Sequence, residues 1–320
     1  MRIPAGDVAT AMIQNSLHMP KDTSRECLQS THEMLQLLVN KFGATKEILE
    51  DGTKLFELMK RLVEDSTSAS AGQAVKVYQT LAYFTGASLS AFDHTLEPLI
   101  GLMIEGIKNP IVGRKVAQSF RILLAPSPVL TKENFCSVRL LRNSKCFAVA
   151  ANPLIALWQA ASDKTLKEKY LIAISGILVF MTPTQLDEGI EASRLLPIIL
   201  EGVTVQDEQF TKTAFMKTLF QLAPRHPKVI EEHLDSVLGR VLDRLRNTYH
   251  NPSDSSAECR VLAVEVLILL VKTVKPALLT QRANKINSEL DAAKDDAAWE
   301  VRKKAGDCAM ELFNLNDRMK

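Results

Sequence analysis

The chain is poor in residues that interrupt helices: 13 glycines and 13 prolines occur in 320 positions. That is about 8% where soluble chains average ~12%. The shortage excludes collagen-like repeats and turn-dense all-β architectures, and it favours long unbroken helices. Aromatic residues are scarce as well, at 6%. No excess of one charge exists, since 39 basic residues face 37 acidic ones. Bulk electrostatics therefore makes no case for nucleic acid or for an anionic membrane. The five cysteines (Cys27, Cys136, Cys146, Cys259 and Cys308) contain no CxxC pair and are odd in number. Reduced structural thiols in a cytosolic or nuclear protein fit that pattern better than a disulfide framework does. Residues 1–20 lack an apolar leader with a cleavage site, and no Asn-x-Ser/Thr sequon occurs. The longest uncharged stretch, 170–186, is broken by Thr182, Pro183, Thr184 and Gln185, short of the ~20 apolar residues of a membrane span. A soluble intracellular chain is expected, and its 46% apolar content is enough to bury a large core.

Signatures of chemistry are missing too. There is no GxGxxG or GxxxxGK[ST] phosphate loop, no GxSxG elbow and no HExxH. His226 and His233 lie seven apart with Glu231, Glu232 and Asp235 nearby. A metal site needs about four converging ligands, so a solvated helix start after Pro227 is the better reading. Cys136 and Cys146 have no neighbouring histidine and read as structural thiols. Two basic runs occur, Arg139–Arg142–Lys145 and Arg240–Arg244–Arg246. The second is diluted by Asp243, and the first holds too few charges for duplex DNA. No catalytic residue, metal or cofactor is assigned.

What is present is helical periodicity at almost every position. In 24–42, Leu28, Thr31, Leu35, Leu38 and Phe42 share a stripe opposite Gln29, Glu33, Gln36 and Asn40. Comparable stripes run through 45–65, 73–86, 93–108, 111–125, 147–162, 164–181, 187–203, 207–223, 227–249, 257–275, 277–292 and 296–314. Two signals alternate along them. One is a proline ahead of a Leu/Ile pair, at Pro98-Leu99-Ile100, Pro153-Leu154-Ile155 and Pro197-Ile198-Ile199. The other is an alanine behind a polar or charged position, at Ala117, Ala173, Ala214, Ala263 and Ala305. Successive alanines lie 41 to 56 residues apart, close to the ~40–47-residue period of HEAT and armadillo units. A helix pair cannot bury its apolar face alone, so pairs stack, and small alanines let neighbours approach. The expected fold is an all-α, HEAT/ARM-type α-solenoid (an α-α superhelix) of roughly seven helix pairs. Residues 1–22 would form a lead or the remnant of a preceding repeat, and 23–320 the solenoid. Helix 296–314 has a polar face of Glu300, Lys303, Lys304, Asp307 and Glu311. It reads as a terminal cap, with Lys320 as a natural end.

Three segments carry a more specific resemblance. They are 129–154 (Val129-Leu130-Thr131 through Val138-Arg139 to Phe147 and Pro153-Leu154), 167–178 (KEKYLIAISGIL) and 295–305 (DDAAWEVRKKA). In order and spacing they resemble the C-terminal HEAT repeats of the methyl-methanesulfonate-sensitivity (nineteen) family, adaptor of the cytosolic iron–sulfur protein assembly targeting complex. The resemblance implies a non-enzymatic scaffold without a cofactor of its own. It would dock a MIP18-like adaptor and a WD40 propeller subunit, and present apo iron–sulfur clients, among them DNA repair and replication enzymes. It implies a cytoplasmic and nuclear protein with links to transcription, and no direct contact with nucleic acid or membrane. Family members carry further repeats upstream, so a chain beginning here is expected to lack them. A transport receptor or phosphatase regulatory subunit shares the architecture and stays open as the alternative. The partner surface is expected in the groove lined by the second helices, at the last two repeats, through Arg260, Lys272, Trp299, Arg302 and Lys303. Charge and an aromatic near the cap motivate that choice. Reversing Arg302 and Lys303 to glutamate is then expected to abolish capture of the MIP18-like adaptor without loss of helicity.

Overall fold

The computed structural model describes residues 5–18, 25–42, 57, 58, 60–65, 71–91, 96–139, 141–246 and 255–317. Among them every regular element is helical, and no helix is long and apolar enough to cross a membrane. They fall into two compact units, Met1–Met181 and Thr182–Lys320.

The first unit contains α1 (Ala5–His18), α2 (Arg25–Phe42), α3 (Ala71–Ala91), α4 (Leu96–Ile107) and α5 (Gly113–Ser119), the last continued by a 3-10 turn at Phe120–Ile122. Then come α6 (Arg142–Cys146), a π-helical turn at Phe147–Ala151, α7 (Asn152–Ala160) and α8 (Lys164–Leu178). Second helices stack in the order α2, α3, α5, α8, while α1, α4 and α7 pack on α2, α5 and α8. The segment read as a lead thus holds a helix, and α1 buries Ile13 against α2 and α3. The expected helix at 45–65 lies mostly outside the described residues, which include its helical end at 60–65. The widened π turn falls directly before Pro153, where a proline ring and its missing N–H disturb ordinary α geometry. Asp163 starts α8 by accepting from the Leu166 N–H at 2.8 Å, an N-cap that satisfies an otherwise orphaned donor.

Close approach explains two glycines. A Cβ on Gly86 of α3 would sit 3.1 Å from the Leu123 carbonyl oxygen, and one on Gly176 of α8 would sit 2.6 Å from the Arg121 backbone nitrogen. The two helices press on the backbone at the end of α5, and any side chain there would force them apart.

The second unit contains α9 (Pro183–Gly189), α10 (Ala192–Gly202), α11 (Gln209–Leu222), α12 (Pro227–Glu232), α13 (Leu234–Leu245), α14 (Ala257–Thr273), α15 (Pro276–Thr280), α16 (Ala283–Ala293) and α17 (Trp299–Asp317). Here α11, α14 and α17 form one row, α10, α13 and α16 the other, and each helix of one row packs on its mate in the other. The recurring alanines occupy the second-helix rows: Ala117, Ala173, Ala214, Ala263 and Ala305 are each at most 1% exposed. The Leu/Ile pairs of the first helices are buried as well. Each unit therefore has the helix-pair stacking of the HEAT/armadillo solenoid class. Among the described residues the seven second helices agree with the repeat count read from the sequence.

Three stretches read as single helices are broken in two. Residues 187–203 divide between α9 and α10, because Thr182 and Gln185 form a reciprocal capping box that starts a helix early. The chain then turns extended at Ile190 (φ −153°, ψ 138°). Residues 227–249 break at His233 (φ −114°, ψ 19°), and 277–292 break between α15 and α16. Periodicity survives such breaks, because the apolar face continues toward the same neighbours on both sides.

Candidate partner-binding surface

The five residues expected to meet a partner all lie on α14 and α17 of the second unit, and the structure divides them by role. Arg260 is the correction. It is 7% exposed, and its Nε and Nη2 donate to the two carboxylate oxygens of Asp296 at 2.7 and 2.9 Å. Its Nη1 donates to the Ser255 carbonyl at 2.6 Å. Asp296 also accepts from the Ala298 N–H at 2.8 Å, which fixes the turn into α17. The pair is a buried two-pronged staple between neighbouring repeats, and it takes Arg260 off the surface. Arg302 is committed locally too, donating to the carbonyls of Asp296 and Ala297 at 2.6 and 2.9 Å. Its reversal to glutamate would disturb the start of α17, so it cannot serve as a clean probe of binding. Lys272 crosses from α14 to pair with Glu311 of α17 at 3.0 Å.

Trp299 and Lys303 differ from these. Trp299 is 61% exposed, with the Lys303 ammonium 5.2 Å from its ring centroid, a cation–π arrangement on an open surface. Two further side chains that sequence reasoning missed continue the same face, Met310 at 63% and Phe313 at 65% exposure. Positions 299, 303, 306, 310 and 313 recur at helical spacing and span about 21 Å of α17 at 1.5 Å per residue. Gly306 in their midst has open space where a side chain would stand. Val301, Ala305, Cys308 and Leu312 are buried on the opposite side. The residues read as a polar cap face lie partly to the flank: Lys304 binds Glu265 of α14 at 2.8 Å, which raises the lysine pKa, and Glu311 holds Lys272. α17 is thus apolar on two faces, one buried in the stack and one turned outward. Exposed large side chains aligned in this way are typical of an interaction anchor.

Other candidates resolve into structural roles. Trp158 is buried, as a core residue should be. His226 Nε2 pairs with Asp187 at 2.7 Å, and Arg225 Nε donates to the same carboxylate at 2.6 Å. Desolvation works to raise the Asp187 pKa, but these hydrogen bonds and the Arg225 charge bring it below the usual carboxylate value. Arg246 binds Glu289 at 2.8 Å, which fits the solvated reading of that basic run. Among the described residues no group of three His, Cys, Asp or Glu side chains converges as a metal ion requires. Burial pushes the Cys146 and Cys308 thiols up to about 12, leaving them protonated and unreactive.

Comparison with known proteins supplies the family. The profile of the family described as RNAPII transcription regulator C-terminal (MMS19) matches residues 5–271. The chain belongs to the MMS19 C-terminal family. The DNA repair/transcription protein MMS19 of Saccharomyces cerevisiae is 23% identical over 302 residues, covering 93% of this chain and 27% of that protein. The chain therefore spans about a quarter of the length of that MMS19 relative. Among solved structures, the crystal structure of an engineered protein aligns at a TM-score of 0.50 and 11% identity, over 80% of this chain and 97% of that one. This likeness concerns the fold alone. A designed armadillo repeat protein aligns at 0.39 and 14% identity, over 94% and 98% of the two chains. The MMS19 match ends inside α14, so the outward stripe of α17 lies beyond it.

Proposed function

We propose that this MMS19-family chain is a non-enzymatic scaffold of the cytosolic iron–sulfur protein assembly machinery. In this reading it docks a MIP18-like adaptor, and through it the WD40 propeller subunit, and helps present apo iron–sulfur clients in cytoplasm and nucleus. The observation that carries the reading is the family match across α1 to α14. The relative's name ties that family to DNA repair and transcription, which agrees with clients drawn from DNA repair and replication enzymes. Stacked helix pairs offer extended surface, as a scaffold requires. The outward stripe of α17, with Trp299, Lys303, Met310 and Phe313, is the adaptor's proposed contact. Lys272 flanks it, while Arg260 and Arg302 support it from beneath.

Affinity purification of the tagged chain followed by mass spectrometry tests the functional reading. Recovery of the propeller subunit together with its small adaptor is the expected result. Recovery of a small GTPase with transport cargo, or of a phosphatase catalytic subunit, in their place would favour the generic HEAT-scaffold alternative and overturn the reading.

A further inference from the structure

The loop that joins the end of α5 to α6 contains a residue the fold does not want. Residues 131–136 close a Schellman turn, with the Cys136 N–H donating to the Thr131 carbonyl at 3.1 Å and the Phe135 N–H to the Lys132 carbonyl at 2.9 Å. The left-handed position of such a turn is ordinarily glycine, because a Cβ is penalised there. Here it is Phe135, at φ 54° and 90% exposed. A bulky side chain in that conformation is uncommon, and this one buries almost nothing in return.

The turn is also held firmly. Asn134 Nδ2 donates to the Val129 carbonyl at 2.9 Å. Asn40 of α2 grips the following residue from both sides, donating to the Ser137 carbonyl at 2.7 Å and accepting from the Ser137 N–H at 2.9 Å. The Arg139 N–H then donates to the Ser90 carbonyl at the end of α3 at 3.3 Å. Strained, over-determined positions of this kind concentrate where a side chain is needed by something other than the fold. Val138 and Leu141, within six residues of Phe135, are exposed as well.

Charge indicates what approaches. Between Asn109 and Ser162 the sequence carries seven basic residues, Arg114, Lys115, Arg121, Lys132, Arg139, Arg142 and Lys145, and one acidic residue, Glu133. The chain as a whole is only +2, so this stretch is a local basic excess along the sequence, and Lys132, Arg139, Arg142 and Lys145 lie within ten residues of Phe135. Nucleic acid fits it less well. Single strands stack successive bases on successive aromatic faces, and this loop offers a single ring flanked by aliphatic side chains.

We propose that residues 129–139 together with Leu141 form a docking ledge for an acidic protein segment bearing apolar side chains, with Phe135 as its anchor. The basic surroundings steer the segment in, and Phe135, Val138 and Leu141 receive its apolar residues. This ledge belongs to the first unit and does not depend on the assignment of the α17 stripe.

The test uses fluorescence anisotropy on the 320-residue chain, with a labelled peptide of repeated Glu-Glu-Leu triplets. Oligoglutamate and single-stranded oligothymidine of equal length serve as comparison probes. The triplet peptide should bind best and weaken as salt rises. Phe135→Gly should weaken it at least about tenfold while keeping or raising the melting temperature, because glycine suits the left-handed position. Lys132→Glu should weaken it as well. Equal binding of the triplet peptide to the parent chain and to F135G, or tighter binding of oligothymidine than of the peptide, would overturn the proposal. A fall in melting temperature for F135G would overturn its structural premise.

Discussion

Asp296→Ala removes the acceptor on which the last two second helices are stapled. The Asp296 side chain is 1% exposed and the Arg260 side chain 9%, so the charge left behind cannot be re-solvated in place. Two charge-assisted hydrogen bonds disappear, as does the bond that fixes the turn into α17. Breaking one side of a buried ion pair typically costs about 3–5 kcal/mol, mostly as the penalty of the orphaned partner. Loss of the bond at the helix start adds about 1 kcal/mol. Destabilisation of the second unit by roughly 4–6 kcal/mol is expected. Asp296→Asn keeps one oxygen acceptor and should cost less. Arg260→Met combined with Asp296→Leu removes both charges and should recover much of the loss, since a well-packed apolar pair is often as stable as a buried ion pair. Urea unfolding followed by far-UV circular dichroism, arranged as a double-mutant cycle, provides the numbers. A coupling energy below about 1 kcal/mol would show that the staple is incidental to the stability of the second unit.

Three further outcomes follow from other parts of the structure. His32 is buried, stacked on Tyr83 at 4.4 Å between ring centroids and paired through Nε2 with Thr80 at 3.1 Å, and burial lowers its pKa to about 4. The unfolded chain takes up this proton first, near the ordinary value of about 6.5. Stability from neutral His32 is therefore complete above that pH and is lost as pH falls from there toward the folded value. Between pH 8 and pH 5 the loss should be about 2 kcal/mol, and it should be absent from the pH dependence of His32→Phe measured by thermal melts. Gly176→Ala should destabilise by about 1–3 kcal/mol through overpacking on the Arg121 backbone, whereas Gly239→Ala, with open space at its Cβ, should stabilise by up to about 1 kcal/mol. Equal effects of the two in denaturant titrations would contradict the close approach of α8. In a thiol-labelling time course on the native chain, exposed Cys27 should react first, and buried Cys146, Cys259 and Cys308 only on unfolding.

Much of the stack can be read from residue spacing, because stacking imposes local rules. An alanine must recur where second helices meet, and Ala173, Ala214, Ala263 and Ala305 recur and are buried. Proline is tolerated in the first turn of first helices, which marks α4 and α7, while in α10 Pro197 sits inside the helix. Helix breaks were not legible, since Ile190 and His233 depend on local backbone torsions that leave the apolar pattern uninterrupted. The site was legible only in part. Arg260 and Lys303 look alike in sequence, and only the position of Asp296 across the helix pair separates a buried staple from an exposed cation. Met310 and Phe313 follow the spacing of Trp299, but the charges interleaved with them read as a polar cap. Those charges in fact reach sideways, as Lys304 does to Glu265 and Glu311 to Lys272. Phe135 gave no signal, because nothing in Asn134-Phe135-Cys136 announces a left-handed turn without glycine.

In the proposed function α17 holds the adaptor with its outward face. Co-elution of the purified chain with a MIP18-like adaptor on size-exclusion chromatography tests it most directly, comparing the parent with Trp299→Glu combined with Phe313→Glu. A stable complex is expected for the parent and none for the variant, with helicity and melting temperature unchanged because both positions are exposed. A variant that co-elutes like the parent would contradict it.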